Sequence, residues 1–263
     1  MALLSAELAA FQSLVAQQSA GSVLFLILAA LVAGLARGFS GFGGALIFMP
    51  AASSVIDPTL AAAVLFIIDA AMTAPMIPHA FRRADKKAVA LMTAGALIGI
   101  PIGTLLLTRT DPLVLRWFIV SVVVAMLALL ISGWRFRGTP SAPLTIGVGA
   151  VSGLFGGAAQ IGGPPVVAYW LGGVIPAVVV RANIVLYFGA TTAITAINYL
   201  LAGILVREAF FLALLVAPAF GIGLVSGSRL FGLANDVTFR RICFGLIAVA
   251  AVIGLPVLDP LLR

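Results

Sequence analysis

Two stretches of this chain combine polar groups with a backbone that cannot remain helical. The first reads Gly34-Leu-Ala-Arg-Gly-Phe-Ser-Gly-Phe-Gly-Gly44, the second Gly153-Leu-Phe-Gly-Gly-Ala-Ala-Gln-Ile-Gly-Gly163. Glycine lets a ligand approach the main chain closely. A helix that restarts after such a break begins with N–H groups that have no partner inside it. Those groups carry the positive end of the helix dipole and suit an anion. Ser40, Gly41, Gly43 and Gly44 are the candidate anion-binding residues of the first break, and Gln160, Gly162 and Gly163 those of the second. Pro164-Pro165 fits a first helical turn but removes two donors, so the second break is expected to hold an anion through backbone less strongly. The competing reading is that these glycines only allow tight helix packing, as small residues do in membranes. A matched pair of multi-glycine breaks in two halves of a membrane protein tips the balance towards a transport site.

Charged and hydroxyl groups lie close to these breaks in the sequence. Arg37 sits next to the first break, and its counterpart in the second is Gly156. An Arg at the bilayer centre costs about 2.5–3.5 kcal/mol, so it faces a cavity or a partner or snorkels to an interface. Asp69 is the only acid well inside an apolar run, with Thr73 one turn on. Intramembrane carboxyls are functional by default, which makes Asp69 a candidate proton or cation coupling site or a partner for Arg37. The alternative is a buried structural carboxyl. Thr191, Thr195 and Asn198 follow i, i+4, i+7, so they share a helix face and could bind sulfonate or carboxylate oxygens. Their other use is inter-helix hydrogen bonding, about 0.6 kcal/mol each. Arg181 and Asn183 begin that helix, either closing one mouth of a cavity or marking its boundary. Gly38-Phe-Ser-Gly41 also matches the pattern around the serine of rhomboid intramembrane proteases, with His79 as the conceivable base. A four-residue match in a glycine-rich chain is weak, and His79 next to Arg82-Arg83 is badly placed to hydrogen-bond Ser40.

Composition excludes most other functions. The 263 residues are 63% hydrophobic and 9% charged, where a soluble domain carries roughly 25% charged residues. Net charge is +7, yet the basic residues lie at the ends of apolar segments, so no nucleic-acid partner is inferred. With one cysteine, Cys243, and one histidine, His79, no disulfide or Cys/His metal cluster can form within the chain. No dinucleotide or phosphate-loop motif occurs, so no cofactor is expected. Residues 2–18 have the spacing of an amphipathic surface helix, without the basic start of a signal peptide.

The expected fold is all-α and polytopic. Apolar runs long enough to cross about 30 Å of hydrocarbon cover 59–80, 88–108, 113–134, 183–206, 209–230 and 239–258. The stretches 22–56 and 144–175 are apolar but broken by the glycines. Five of the eleven positions in the two breaks are identical, and the repeat continues: Ile98-Gly99 matches Ile222-Gly223, and Gly103 matches Gly227. A single transmembrane domain of two repeats follows, 22–134 and 144–258. If each broken segment folds back as a hairpin, each half has an odd number of crossings and the halves are inverted. Leaving out Arg37, that topology separates ten basic residues (Arg82, Arg83, Lys86, Lys87, Arg135, Arg137, Arg181, Arg229, Arg240, Arg241) from four (Arg109, Arg116, Arg207, Arg263). If the broken segments instead crossed, giving parallel repeats, the split would be eight to six. Cytoplasmic loops are rich in Lys and Arg, which favours the inverted arrangement with both termini outside the cytoplasm.

The two breaks, Pro50, the stretch Gly162-Gly-Pro-Pro-Val-Val-Ala-Tyr-Trp-Leu-Gly172 and Val180-Arg-Ala-Asn-Ile-Val-Leu-Tyr-Phe188 resemble the TauE/SafE sulfite exporter family, also called the toluenesulfonate uptake permease group. The first break lacks the third consecutive glycine common in that family, and Arg37 and Asp69 do not match its pattern. The resemblance implies a secondary transporter of sulfite, sulfonates or related organic anions in the bacterial inner membrane, driven by an ion gradient; with the charge distribution, this places both termini in the periplasm. The partners expected are a small anionic substrate and membrane lipid. A homo-oligomer is open, because lipid-facing and partner-facing apolar surfaces look alike. The alternatives are a passive anion channel and the intramembrane protease.

Overall fold

The computed structural model describes residues 19–41, 43–171, 176–230 and 236–262, and all its regular elements are helices. The surface helix expected over 2–18 lies outside the described residues. Seven of the described helical segments are long and apolar enough to cross a membrane.

Both halves have the same order of elements. The first opens with a long arm, α1 (Ala20–Ser40), and a short one, α2 (Gly44–Ala52). A crossing follows as α3 (Pro58–Thr73), a 3-10 turn at Ala74–Met76 and α4 (Ile77–Arg83), with Pro75 and Pro78 at the joint. Then come α5 (Lys86–Arg109) and α6 (Pro112–Ser132). The second half repeats this with α7 (Ala142–Ala159), α8 (Gly163–Trp170), α9 (Ala177–Leu201), α10 (Arg207–Leu230) and α11 (Asp236–Ile253), and the chain closes with a 3-10 turn and α12 (Asp259–Leu262). Local signals set the starts. Asp57-Pro58 and Asp111-Pro112 each place a capping carboxylate before a proline, and the carboxylates accept from the Thr59 and Leu113 amides, each at 2.8 Å. The run expected over 183–206 is shifted, because Pro176 precedes an earlier start and left-handed Gly203 (φ 69°) follows the stop at Leu201.

The breaks are hairpins. Gly41 ends α1 with φ 83°, and Gln160, the same repeat position, ends α7 with φ 59°. Gly43 and Gly162 then start the short arms with nearly identical backbone angles. The short arm α2 turns back along α1, since a Cβ on Gly44 would lie 3.2 Å from the Ala33 carbonyl oxygen and from Arg37 Cβ.

Contacts across the ends show the halves running in opposite directions. The Thr59 hydroxyl donates to the Leu107 carbonyl (3.5 Å), joining the start of α3 to the end of α5. The Asp85 amide donates to Asn183 Oδ1 (2.7 Å), joining the α4–α5 turn to the start of α9. The Phe136 amide donates to the Ala168 carbonyl (3.0 Å), joining the linker after α6 to the end of α8. Arg116 pairs with Asp259, joining the start of α6 to the chain's end. One face, here the near face, therefore holds the starts of α1, α3 and α6. The far face holds the ends of α4 and α6 and the starts of α7 and α9.

The tightest packing crosses between halves. α1 runs parallel to α10 and α5 parallel to α7, and these are the two most extensive helix pairs. Gly34 faces Phe220, Gly38 faces Leu224, Gly223 faces Leu31 and Gly227 faces Leu35. In the second seam Gly95, Gly99 and Gly103 face α7, while Gly149, Gly153 and Gly157 face α5. At every one of these ten positions a Cβ would lie within 3.0 Å of neighbouring backbone. Gly34, Gly38, Gly153 and Gly157, expected to belong to the breaks, instead lie inside helices and serve close packing. The actual turns are shorter, at 41–43 and 160–162. The seams also carry the long arms deep: Gly38 faces Leu224 of α10, which runs on to Leu230, and Gly103 faces Leu154 of α7.

Candidate functional site

The side chains singled out around the first hairpin meet. Arg37 Nε lies 2.7 Å from Asp69 Oδ1, and Nη2 donates to Asp69 Oδ2 at 2.9 Å, giving a two-point pair between α1 and α3. Such paired contacts fix geometry as well as charge. Nη2 also donates to the Thr73 hydroxyl (3.2 Å) and Nη1 to the Gly41 carbonyl (3.4 Å). Of the five donors of a guanidinium, one Nη1–H stays outside these contacts. The pair is partly solvated, with 17% of the Arg37 and 24% of the Asp69 side chain exposed. Of the three readings of Asp69, coupling site, partner of Arg37 and buried structural carboxyl, the contact present is that of a partner to Arg37.

Arg37 and Asp69 line a cavity that extends to the second hairpin and α9. Its other walls include Ser152, Gly156, Gln160, Gly162 and Gly163 from the second hairpin and Thr191, Thr192 and Thr195 from α9. Centres of water-sized molecules can occupy about 60 Å³ of it, roughly four times the 10–15 Å³ that a single water needs. Gly162 and Gly163 begin α8, so their amides are among those lacking a partner in their own helix. A Cβ on Gly156 would touch nothing within 4 Å. Opposite Arg37, the second repeat thus contributes open space. The charged groups come from the first half and the neutral hydroxyl and amide groups from the second.

A hydrogen-bonded frame supports the second hairpin. Gln160 Nε2 donates to Tyr199 Oη (3.1 Å), which donates to the Gly157 carbonyl (3.0 Å). Tyr187 Oη donates to Ser152 Oγ (3.0 Å), which donates to the Gly162 carbonyl (2.7 Å). Tyr199 also packs on Phe66 of α3, ring centroids 5.4 Å apart. Both tyrosines are fully buried, so they hold the left-handed Gln160 turn against α9.

Other expected site residues lie elsewhere. Gly41, Gly43 and Gly44 do not border this cavity; the first hairpin reaches it through Arg37 and Ala45 instead. The glycines that border it are the second hairpin's, despite Pro164-Pro165. Asn198 Nδ2 donates to the Ile194 carbonyl (2.9 Å), within its own helix. Arg181 is exposed at the far-face start of α9, and Asn183 is fully buried and bonded to the Asp85 amide. The Ser40 side chain is outside those described, and His79 is exposed on α4. Sequence reasoning passed over Ser152, Thr192, Tyr187 and Tyr199. Thr192 stands beside Thr191 on a cavity-facing helix, and a polar residue adjacent to a proposed face was the available signal. Ser152 precedes a packing glycine and gave none.

The family model described as Sulfite exporter TauE/SafE matches residues 26–253, nearly the whole chain. No curated protein and no solved structure matches it.

Proposed function

The chain belongs to the sulfite exporter TauE/SafE family, and from that premise we propose that it is a secondary transporter of small sulfur-containing or organic anions, sulfite and short sulfonates among them. One observation carries this reading: a cavity inside the helix bundle is bordered by a guanidinium, unpartnered helix-start amides and a cluster of hydroxyls. The guanidinium, the amides and the Thr192 and Thr195 hydroxyls are donors suited to an oxyanion, while the Ser152 and Thr191 hydroxyls already donate to the Gly162 and Phe188 carbonyls. Its size suits an anion of few heavy atoms, and an aryl sulfonate would require it to widen.

The Arg37–Asp69 pair supplies a coupling mechanism. While Asp69 is ionised it neutralises Arg37, and an entering anion meets no net positive charge. Like charges at about 4 Å repel by roughly 4 kcal/mol at an effective dielectric of 20. Protonating Asp69 removes that repulsion and frees the guanidinium for the substrate, so proton and anion enter together. The far face, with its surplus of Lys and Arg, is assigned to the cytoplasm and the near face to the periplasm. Alternating access moves one hairpin-bearing group of helices against the other.

The test is flux of sulfite and short sulfonates into proteoliposomes with and without an imposed pH gradient. Asp69→Asn should abolish gradient-driven uptake and leave counterflow exchange intact. Uptake by this variant that still follows the pH gradient would remove Asp69 from coupling. Equal flux with and without a gradient in the native protein would favour a passive channel.

A further inference from the structure

A second cavity, unrelated to the anion site in chemistry, opens towards the far face. Its walls are Leu129 and Leu130 of α6, Val167 and Leu171 around the end of α8, and Phe244 and Ile247 of α11. Water-sized centres can occupy about 270 Å³ of it, several times the space of the anion site. Gly43, at the turn of the first hairpin, borders it from within the bundle. The lining is apolar except at one end, where Trp134 and Arg135 of the linker after α6 contribute. Trp134 is 58% and Leu171 41% exposed, so the cleft is open at the surface of the bundle. Among the described residues no hydrogen bond or ion pair engages the Arg135 side chain.

We propose that this cleft binds an anionic phospholipid of the far-face leaflet, with an acyl chain between α6, α8 and α11 and the phosphate at Arg135. Apolar walls exclude the small, strongly hydrated anion of the transport site. A chain capped by a negative group satisfies both ends: methylenes meet the leucines, valine and phenylalanine, and the phosphate meets a cation without a partner among the described residues. Trp134 belongs at that boundary, because its ring is apolar on its face and polar at its N–H. The far face also carries most of the chain's Lys and Arg, including Arg137 two residues on, as expected for a leaflet rich in anionic lipid. Since Gly43 borders the cleft, a bound chain would brace the first hairpin from behind.

Cys243 lines the cleft and is the only cysteine in the chain, so the unmodified protein reports its own occupancy. Purified protein in mild detergent is treated with N-ethylmaleimide in the presence of phosphatidylglycerol or of phosphatidylcholine with the same acyl chains. Phosphatidylglycerol should slow alkylation of Cys243 about fivefold relative to phosphatidylcholine, the factor that one basic residue contributes at an anionic surface. Arg135→Gln should erase the difference while leaving the rate in lipid-free micelles unchanged. Leu130→Trp, which narrows the cleft, should slow alkylation with either lipid. Equal protection by the two lipids, a preference that survives Arg135→Gln, or a thiol inert in lipid-free micelles would each overturn the assignment.

Discussion

Alanine at Gly147 and at Gly149 should move stability in opposite directions, although the two residues are two positions apart on α7. Alanine is favoured over glycine inside a helix by about 0.8–1.0 kcal/mol. Gly147 is exposed, and a Cβ there meets nothing within 4 Å, so Gly147→Ala should keep that gain. A Cβ on Gly149 would lie 1.9 Å from the Met92 carbonyl oxygen, 2.8 Å from its carbon and 3.0 Å from its Cα. All three are backbone atoms, and no rotamer change can clear them. Ordinary contact begins near 3.4 Å, so α5 and α7 must part by about 1.5 Å, and overpacking of this kind costs about 1–3 kcal/mol. One kcal/mol corresponds to about 2–4 °C for a chain near this size. A contact of 1.9 Å belongs at the upper end of that range, so after the helix gain is subtracted Gly149→Ala should lower the apparent Tm by roughly 4–8 °C, and Gly147→Ala should raise it by roughly 2–4 °C. Tryptophan-fluorescence melting of the detergent-solubilised protein reads both. Shifts of the same sign and size would mean that glycine at 149 is not there for close approach, and the seam argument would fail.

Further outcomes can be checked with the same preparations. Gly156→Ala points a methyl into the anion cavity without meeting a neighbour, so it should preserve Tm and weaken anion binding, read as a reduced ligand-induced thermal shift. Asp259→Asn should destabilise the protein by about 2–4 kcal/mol, since Arg116 is 6% exposed and loses its charged partner. A double-mutant cycle with Arg116→Gln would then show the singles and the double to be non-additive. Gln160→Gly should be milder than Gln160→Ala, because both lose the bond to Tyr199 but only alanine keeps the left-handed strain, about 1–2 kcal/mol; equal melting losses would count against that reasoning.

Much of the architecture was legible from patterning alone. Five of the six continuous apolar runs fall on helices long enough to cross, and the sixth, expected over 239–258, ends earlier, at Ile253; hydrocarbon admits only backbone that satisfies itself, and the lopsided distribution of Lys and Arg pointed to halves of opposite direction. The shared spacing of glycines announced a repeat. What the glycines do could not be read the same way, because one residue type serves both a left-handed turn and a close backbone approach. Gly41 and Gly38 look alike in sequence; one turns the chain at φ 83° and the other lies against Leu224.

Composition and periodicity along the chain determined that this protein is a polytopic helical membrane protein with two related halves, each interrupted by a glycine turn. Those properties depend on local backbone geometry and on transfer from water to hydrocarbon, which neighbouring residues specify by themselves. Only the tertiary structure decided that α1 packs with α10 and α5 with α7. It also decided that Arg37 is held by Asp69, and that the second hairpin's glycines, not the first's, border the cavity. Helices that are apolar on every side carry no sequence mark of which neighbour they meet, so partner choice rests on the fit of backbones approaching closely across distant parts of the chain.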